Sequence, residues 1–259
     1  RSLVGSEMCI RDSEGKRGIV TLCWHWCPAA RYDKSKSDPW GTFYTDKTKF
    51  NLARAMNGRD PDGYQMLLDD IDAIAVQLKR LQDADVPVLW RPLHEASGGW
   101  FWWGASGADA YLQLYKLMYD RLTNVHGLNN LIWVWNGQDA AWYPGDEYVD
   151  IIGEDIYPGK HVYTSQAARF IKALSYTDTR KLITLSENGC IPDPEQLVRD
   201  NIMWSYWCVW EGEFVLKAAG FNNYSEQYTE KNMLKKAYKS DTVITRKELP
   251  DLRNYPLGD

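Results

Sequence analysis

The sequence predicts an α/β fold, a (β/α)8 TIM barrel, on three observations. From Gly18 onwards, strand-length apolar runs alternate with segments of helical period. The runs are nearly continuous in apolar residues, as in parallel strands covered on both faces. No Gly-rich phosphate turn follows an early strand, which argues against an open doubly wound sheet. The barrel needs eight strands and six are legible, so the first two βα units are expected to be missing, with an open barrel as the alternative.

The strands are read as Gly18–Trp26 (GIVTLCWHW), Val86–Glu95 (VPVLWRPLHE), Asn130–Gly137 (NLIWVWNG), Val149–Pro158 (VDIIGEDIYP), Lys181–Gly189 (KLITLSENG) and Met203–Phe214 (MWSYWCVWEGEF). Tyr32 to Arg59 is a long connection containing Asp38-Pro39-Trp40-Gly41. Tyr64, Leu67, Leu68, Ile71, Ile74, Leu78 and Leu81 recur at helical spacing,. A second helix is predicted over Ala108–Asn124, with Gly127 where a helix stop belongs,. Further helices are expected near Gln166–Ser175, after Asp193-Pro194-Glu195 and around Glu230–Lys239,. Arg1–Ser13 (RSLVGSEMCIRDS) has no period and no apolar signal-peptide core,. It is read as a non-native or disordered leader, leaving 14–259 as a single barrel domain, incomplete at its N-terminus.

A 44% hydrophobic, 25% charged composition suits an ordinary globular domain,. With net charge -5 and no basic stripe, nucleic acid is not an expected partner,. No apolar run is long enough to span a membrane. The five cysteines are odd in number and form no CxxC pair. Buried free thiols are the first expectation and one disulfide the alternative. The 13 Trp and 16 Tyr outnumber the 6 Phe. Trp and Tyr join a flat apolar face to a polar edge, which also suits a sugar ring. The cluster Trp100, Trp102, Trp103 beside Gly98-Gly99 is expected to form a binding surface.

Catalytic groups of a barrel sit at the C-terminal ends of its strands. Those ends carry His25, Glu95, Asn136, Asp155 with Tyr157, Glu187 and Trp210. Two are glutamates followed by glycine-containing turns, and a carboxyl placed there is costly unless paired or used. Glycoside cleavage needs two carboxyls, one giving a proton to the leaving oxygen and one attacking the anomeric carbon. A gap of about 5–5.5 Å between them would give retention. Strand alternation puts Arg91, Leu93 and Glu95 on one face, where Arg91 would be a cationic neighbour of the carboxylates or part of a structural ion pair. His25, between two Trp, is either a ligand-binding or a core histidine. No HxH or HExxH spacing supports a metal,.

WRPLHE followed by GGWFWWG, together with LSENG, resembles glycoside hydrolase family 26, best known for endo-β-1,4-mannanases. WHW, EDIYPG and the Trp-rich last strand also match, from about Gly18 to the C-terminus. The resemblance implies Glu95 as general acid/base and Glu187 as nucleophile. It implies that His94 holds the sugar at the cleavage subsite and that Tyr157 hydrogen-bonds the nucleophile. Trp210 would be the aromatic platform on the nucleophile's side, and Trp100 an aromatic on the leaving-group side. His25 would bind substrate hydroxyls; Asp155 would contact substrate or hold the Tyr157 loop. The sequence departs from some members at Glu211, where they carry a basic residue, and in IPDP after Glu187, which lacks an aromatic. The expected activity is retaining hydrolysis of internal β-1,4-mannosidic bonds in mannan, galactomannan or glucomannan, by a secreted, periplasmic or cell-surface monomer without a cofactor. The alternatives are a β-1,3-1,4-glucanase or β-1,3-xylanase of the same family, and a non-catalytic glycan-binding barrel.

Overall fold

The computed structural model describes residues 19–34, 41–217 and 223–249. The leader, Gly18 and Trp40 lie outside the described residues. The chain forms two compact units. The first holds the described residues up to Gly153 together with Ala173–Leu182, and the second Glu154–Lys172 with the described residues from Ile183 on.

In the first unit β1 (Val20–Cys23), β2 (Val88–Arg91), β3 (Leu131–Trp135) and the start of β4 (Ile151–Ile156) are neighbours in sequence order. All pairings are parallel, with Val20 opposite Val88, Val88 opposite Leu131 and Val134 opposite Ile151. Long helices make the first two crossovers, as parallel neighbours require, whereas β3 reaches β4 through two short 3-10 turns, Ala140–Trp142 and Asp146–Tyr148. α1 (Leu52–Met56) is a short helix inside the long connection after β1. α2 (Pro61–Asp83) begins at Asp60, whose side chain accepts the Gly63 amide at 2.9 Å, with Pro61 at the first position,. A Cβ at residue 63 would lie 2.6 Å from the Asp60 carboxylate, so this cap is built around a glycine. Met66, Leu67, Ile71, Ile74, Ala75 and Leu78 are its buried stripe. The polar member of that stripe, Asp70, accepts Trp26 Nε1 at 2.9 Å. α3 (Ala108–Asp120) buries Tyr111, Leu114, Tyr115 and Met118, and Gly127 lies just beyond its final turn at φ +63°. Arg121 grips Asp72 of α2 through two nitrogens.

The second unit contains the rest of β4, then β5 (Leu182–Asn188) and β6 (Trp207–Val209). α4 (Ala167–Leu174), α5 (Pro194–Arg199) and α6 (Lys231–Tyr238) follow the predicted order. Asp193 caps α5 by accepting the Glu195 amide at 3.0 Å and also takes Lys236 of α6. Glu154, fully buried on β4, pairs with Arg169 of α4, whose Nε donates to Oε2 at 2.8 Å. This pair pins helix to strand.

Regular structure is shorter than the apolar runs suggested. β6 spans three residues, because the preceding Trp204 turns inward and donates its indole N–H to the Ser165 carbonyl at 2.9 Å. β2 stops at Arg91. Among the described residues Cys23, Cys27, Cys190 and Cys208 form no disulfide, but only Cys190 is buried as expected and the other three are partly exposed; no helix is long and apolar enough to cross a membrane.

Removing one partner of a buried ion pair leaves an uncompensated charge. Arg169→Ala should destabilise the chain by about 3 kcal/mol, the lower end for such a loss because water reaches the Arg169 side. Glu154→Gln in the same chain should restore part of it. Urea unfolding of the single and double variants checks this.

Candidate active site

The first unit brings together five of the sequence-predicted residues. Arg91 is the last residue of β2 and is buried. The chain then leaves the strand, and both Leu93 (φ +53°) and Glu95 (φ +52°) adopt the left-handed conformation. The strand alternation expected for Arg91, Leu93 and Glu95 therefore does not operate, and a kinked turn sets the direction of Glu95. Each left-handed non-glycine residue costs on the order of 1 kcal/mol or more and persists only where its surroundings over-determine it. Here the Glu95 amide donates to the Asn136 carbonyl at 2.8 Å, and the Glu95 carbonyl accepts the Gly98 amide at 3.1 Å.

The Glu95 carboxylate is held from the side. Trp100 Nε1 donates to Oε2 at 2.9 Å. The Trp100 ring is 47% exposed, an aromatic face open to a ligand beside a carboxylate. A Cβ on Gly98 would come within 2.0 Å of that ring, so only glycine allows the indole to lie there. The neighbouring tryptophans depart from expectation. Trp102 and Trp103 are core residues, with indole N–H groups donating to the carbonyls of Trp26 (2.6 Å) and His94 (2.8 Å). They build the turn from beneath, and Trp100 alone of the three presents a surface.

His94 is 2% exposed and packs against His25, Phe101 and Trp103. Burial, with smaller contributions from Arg91 and His25, holds its imidazole well below the usual 6.5, so the ring is neutral in the folded chain. His25 lies past the end of β1, half-buried, with its ring edge-on to Phe43 at 4.8 Å.

The second unit gathers the other four. Glu187, on β5, is 4% exposed, and Tyr157, just past β4, donates its hydroxyl to Glu187 Oε2 at 2.7 Å. The Tyr157–Glu187 bond implied by the resemblance is present. Tyr157 itself is 43% exposed, so one edge of the pair faces outward. Ser186 Oγ donates to buried Asp155 at 2.7 Å. Carboxylate oxygens of Asp155 and Glu187 lie within 4.8 Å of each other. Trp210 follows β6 and is half-buried, and its amide donates to the Asn188 carbonyl at 3.0 Å, fixing it beside the end of β5. Gly189 lets Tyr157 and Phe214 close over the turn, with a Cβ there meeting both rings at 3.3 and 3.1 Å.

Two residues escaped the sequence reading of the site. Asn136 was visible only as a strand end, yet it is fully buried and bonded on three sides. Glu154 gave no signal, since its partner Arg169 lies on the next helix.

A fold of parallel strands and crossover helices, with carboxylates and aromatics at the carboxyl ends of the strands, belongs to the β/α class whose functional residues gather at the loop face. A family model described as Glycosyl hydrolase family 26 matches residues 9–248. The chain belongs to glycosyl hydrolase family 26. It is 46% identical to a mannan endo-1,4-beta-mannosidase of Thermothelomyces thermophilus, over 90% of this chain and 46% of that protein. Against mannan endo-1,4-beta-mannosidase A of Piromyces sp the identity is 38%, over 95% of this chain and 38% of the other. Among solved structures it resembles the GH26-CBM35 β-(1,4)-mannanase of Podospora anserina, with TM-score 0.78 and 39% identity over 89% of this chain and 50% of that one. It also resembles the β-mannanase of a symbiotic protist of the termite Reticulitermes speratus, complexed with gluco-manno-oligosaccharide, with TM-score 0.76 and 37% identity over 90% of this chain and 68% of that one. The chain spans less than half the length of these curated relatives. The β/α-barrel fold class read from the sequence stands on this likeness and on the parallel strands.

Neutral His94 gives stability a pH dependence of definite sign. Its folded pKa is depressed, so below 6.5 the unfolded chain takes up a proton that the folded chain refuses,. The contribution is complete above 6.5 and is lost as pH falls from there toward the folded value, by at most about 1.4 kcal/mol per pH unit. Urea midpoints between pH 7.5 and 5 should fall more steeply for the wild type than for His94→Gln.

Proposed function

We propose that the chain carries the catalytic carboxylates of a retaining glycoside hydrolase that cleaves internal β-1,4-mannosidic bonds of mannan, galactomannan or glucomannan. The observation that carries this reading is a shared construction. Each strand-end glutamate has one carboxylate oxygen held by a partly exposed aromatic donor, Trp100 for Glu95 and Tyr157 for Glu187. Membership of the family, and relatives named as mannan endo-1,4-beta-mannosidases, support mannan as the substrate class.

In this reading Glu95 gives its proton to the glycosidic oxygen as Glu187 attacks the anomeric carbon, forming a glycosyl ester and releasing the leaving sugar. Glu95, now ionised, takes a proton from water, whose oxygen displaces Glu187 and restores both carboxyl groups. Trp100 and Trp210 offer aromatic faces to sugar rings on the two sides of the bond. His25 and Asp155 bind hydroxyls, Arg91 underlies the Glu95 turn, and His94 shapes the cleavage subsite through the edge its packing leaves. No cofactor is required by these steps. A secreted, periplasmic or cell-surface monomer is the proposed setting, as a polymeric substrate demands.

Reducing-end release should be seen with galactomannan and be far weaker with mixed-linkage β-glucan; the reverse preference would reassign the substrate. Glu187→Ala should abolish release without changing the unfolding free energy by more than about 1 kcal/mol, and retained hydrolysis would remove Glu187 from the mechanism. Tyr157→Phe loses a hydrogen bond to a charged group and should lower kcat by about 10–150-fold.

A further inference from the structure

Asn136 stands directly after β3, between two glutamate-bearing segments of the sequence, and is buried completely. Its side-chain oxygen accepts Arg91 Nη1 at 2.7 Å, and its side-chain nitrogen donates to the Gly153 carbonyl on β4 at 2.9 Å. The amide orientation is unambiguous, because guanidinium can only donate and a carbonyl can only accept. The Asn136 backbone carbonyl then accepts the Glu95 amide at 2.8 Å. One residue thereby joins the end of β2, β4 and the left-handed turn that carries Glu95. The next residue extends the same support, since the Gly137 carbonyl accepts the Ser97 amide at 3.3 Å.

Sheet cohesion alone does not call for this residue. The β2–β3 ladder is made by apolar residues from Val88 opposite Leu131 to Trp90 opposite Trp133, and an apolar side chain at 136 would continue that core without burying an amide. What the amide adds is a fixed direction for the backbone at the point where it meets Glu95. From this we propose that Asn136 is a positioning residue for the proton-donating carboxyl, acting through the Glu95 main chain and through Arg91 rather than by touching substrate. The assignment rests on the reading of Glu95 as general acid.

A displaced general acid has a particular kinetic signature. Glycosides with poor leaving groups need the proton, whereas a 2,4-dinitrophenyl leaving group departs without it. Asn136→Leu should lower kcat/KM for mannohexaose by about 10–100-fold, part of the range a general acid contributes, and for 2,4-dinitrophenyl β-mannobioside by less than about 3-fold if only proton delivery is impaired. Equal losses on both substrates would mean a general structural role and overturn the proposal, as would no loss on either. Asn136→Asp, which keeps the acceptor for Arg91 and removes the donor to Gly153, serves if the Leu variant does not fold. Amide hydrogen exchange gives a readout independent of activity. The Glu95 amide should lose about 10-fold or more of its protection, while that of Ile71 in α2 is unchanged. Wild-type-like protection at Glu95 would overturn the proposal even in a chain that hydrolyses neither substrate, whereas wild-type inactivity on both would count against the mannanase reading alone.

Discussion

The hydrogen bond from the Glu95 amide to the Asn136 carbonyl is the constraint on which the first unit's site depends. A glutamate at φ +52° does not hold that conformation by itself,. It is held because the strand end beside it is fixed by a buried amide, because Trp102 and Trp103 fill the space below, and because two glycines leave room above. Gly98 admits the Trp100 ring, and Gly104 lies against the Ala96 carbonyl, whose oxygen a Cβ there would meet at 2.0 Å. The consequence is chemical. Trp100 meets the carboxylate at 2.9 Å with its aromatic face still open.

The second unit solves the same problem by simpler means. Glu187 stays on a regular strand, so burial is set by β5 and orientation by the Tyr157 hydroxyl. The charge on such a buried carboxylate is tolerable only with donors around it. Asp155 close by is satisfied in turn by Ser186. Phe214 packs against Tyr157, and both rings close on Gly189, where a Cβ would be tightly placed.

These differences explain what could be read in the sequence. Glu187 and Asp155 were legible because they lie on strands whose apolar runs are unbroken, and Tyr157 because it stands one residue beyond its strand. Glu95 was legible as a residue but not as a geometry. RPLHE reads as strand, whereas the backbone breaks after Arg91, since the support for that break comes from Asn136, 41 positions on from Glu95 in the chain. Trp102 and Trp103 misled for a related reason. A run of aromatics tells that a flat apolar surface exists but not which rings face inward, and indole bonds to the Trp26 and His94 carbonyls decide that. The helix start at Asp193 was the most local feature and is present as a cap.

The proposed mechanism gives the two glutamates complementary roles, with Glu187 as the residue that carries the sugar between steps. Its most direct test is trapping with a 2-deoxy-2-fluoro-β-mannosyl fluoride extended by one mannose, followed by intact-mass measurement and peptide mapping. A single adduct on the peptide containing Glu187, released on adding an acceptor sugar, is the expected result. An adduct on another carboxylate, or hydrolysis of mannan with inversion of the anomeric centre, would contradict the assignment.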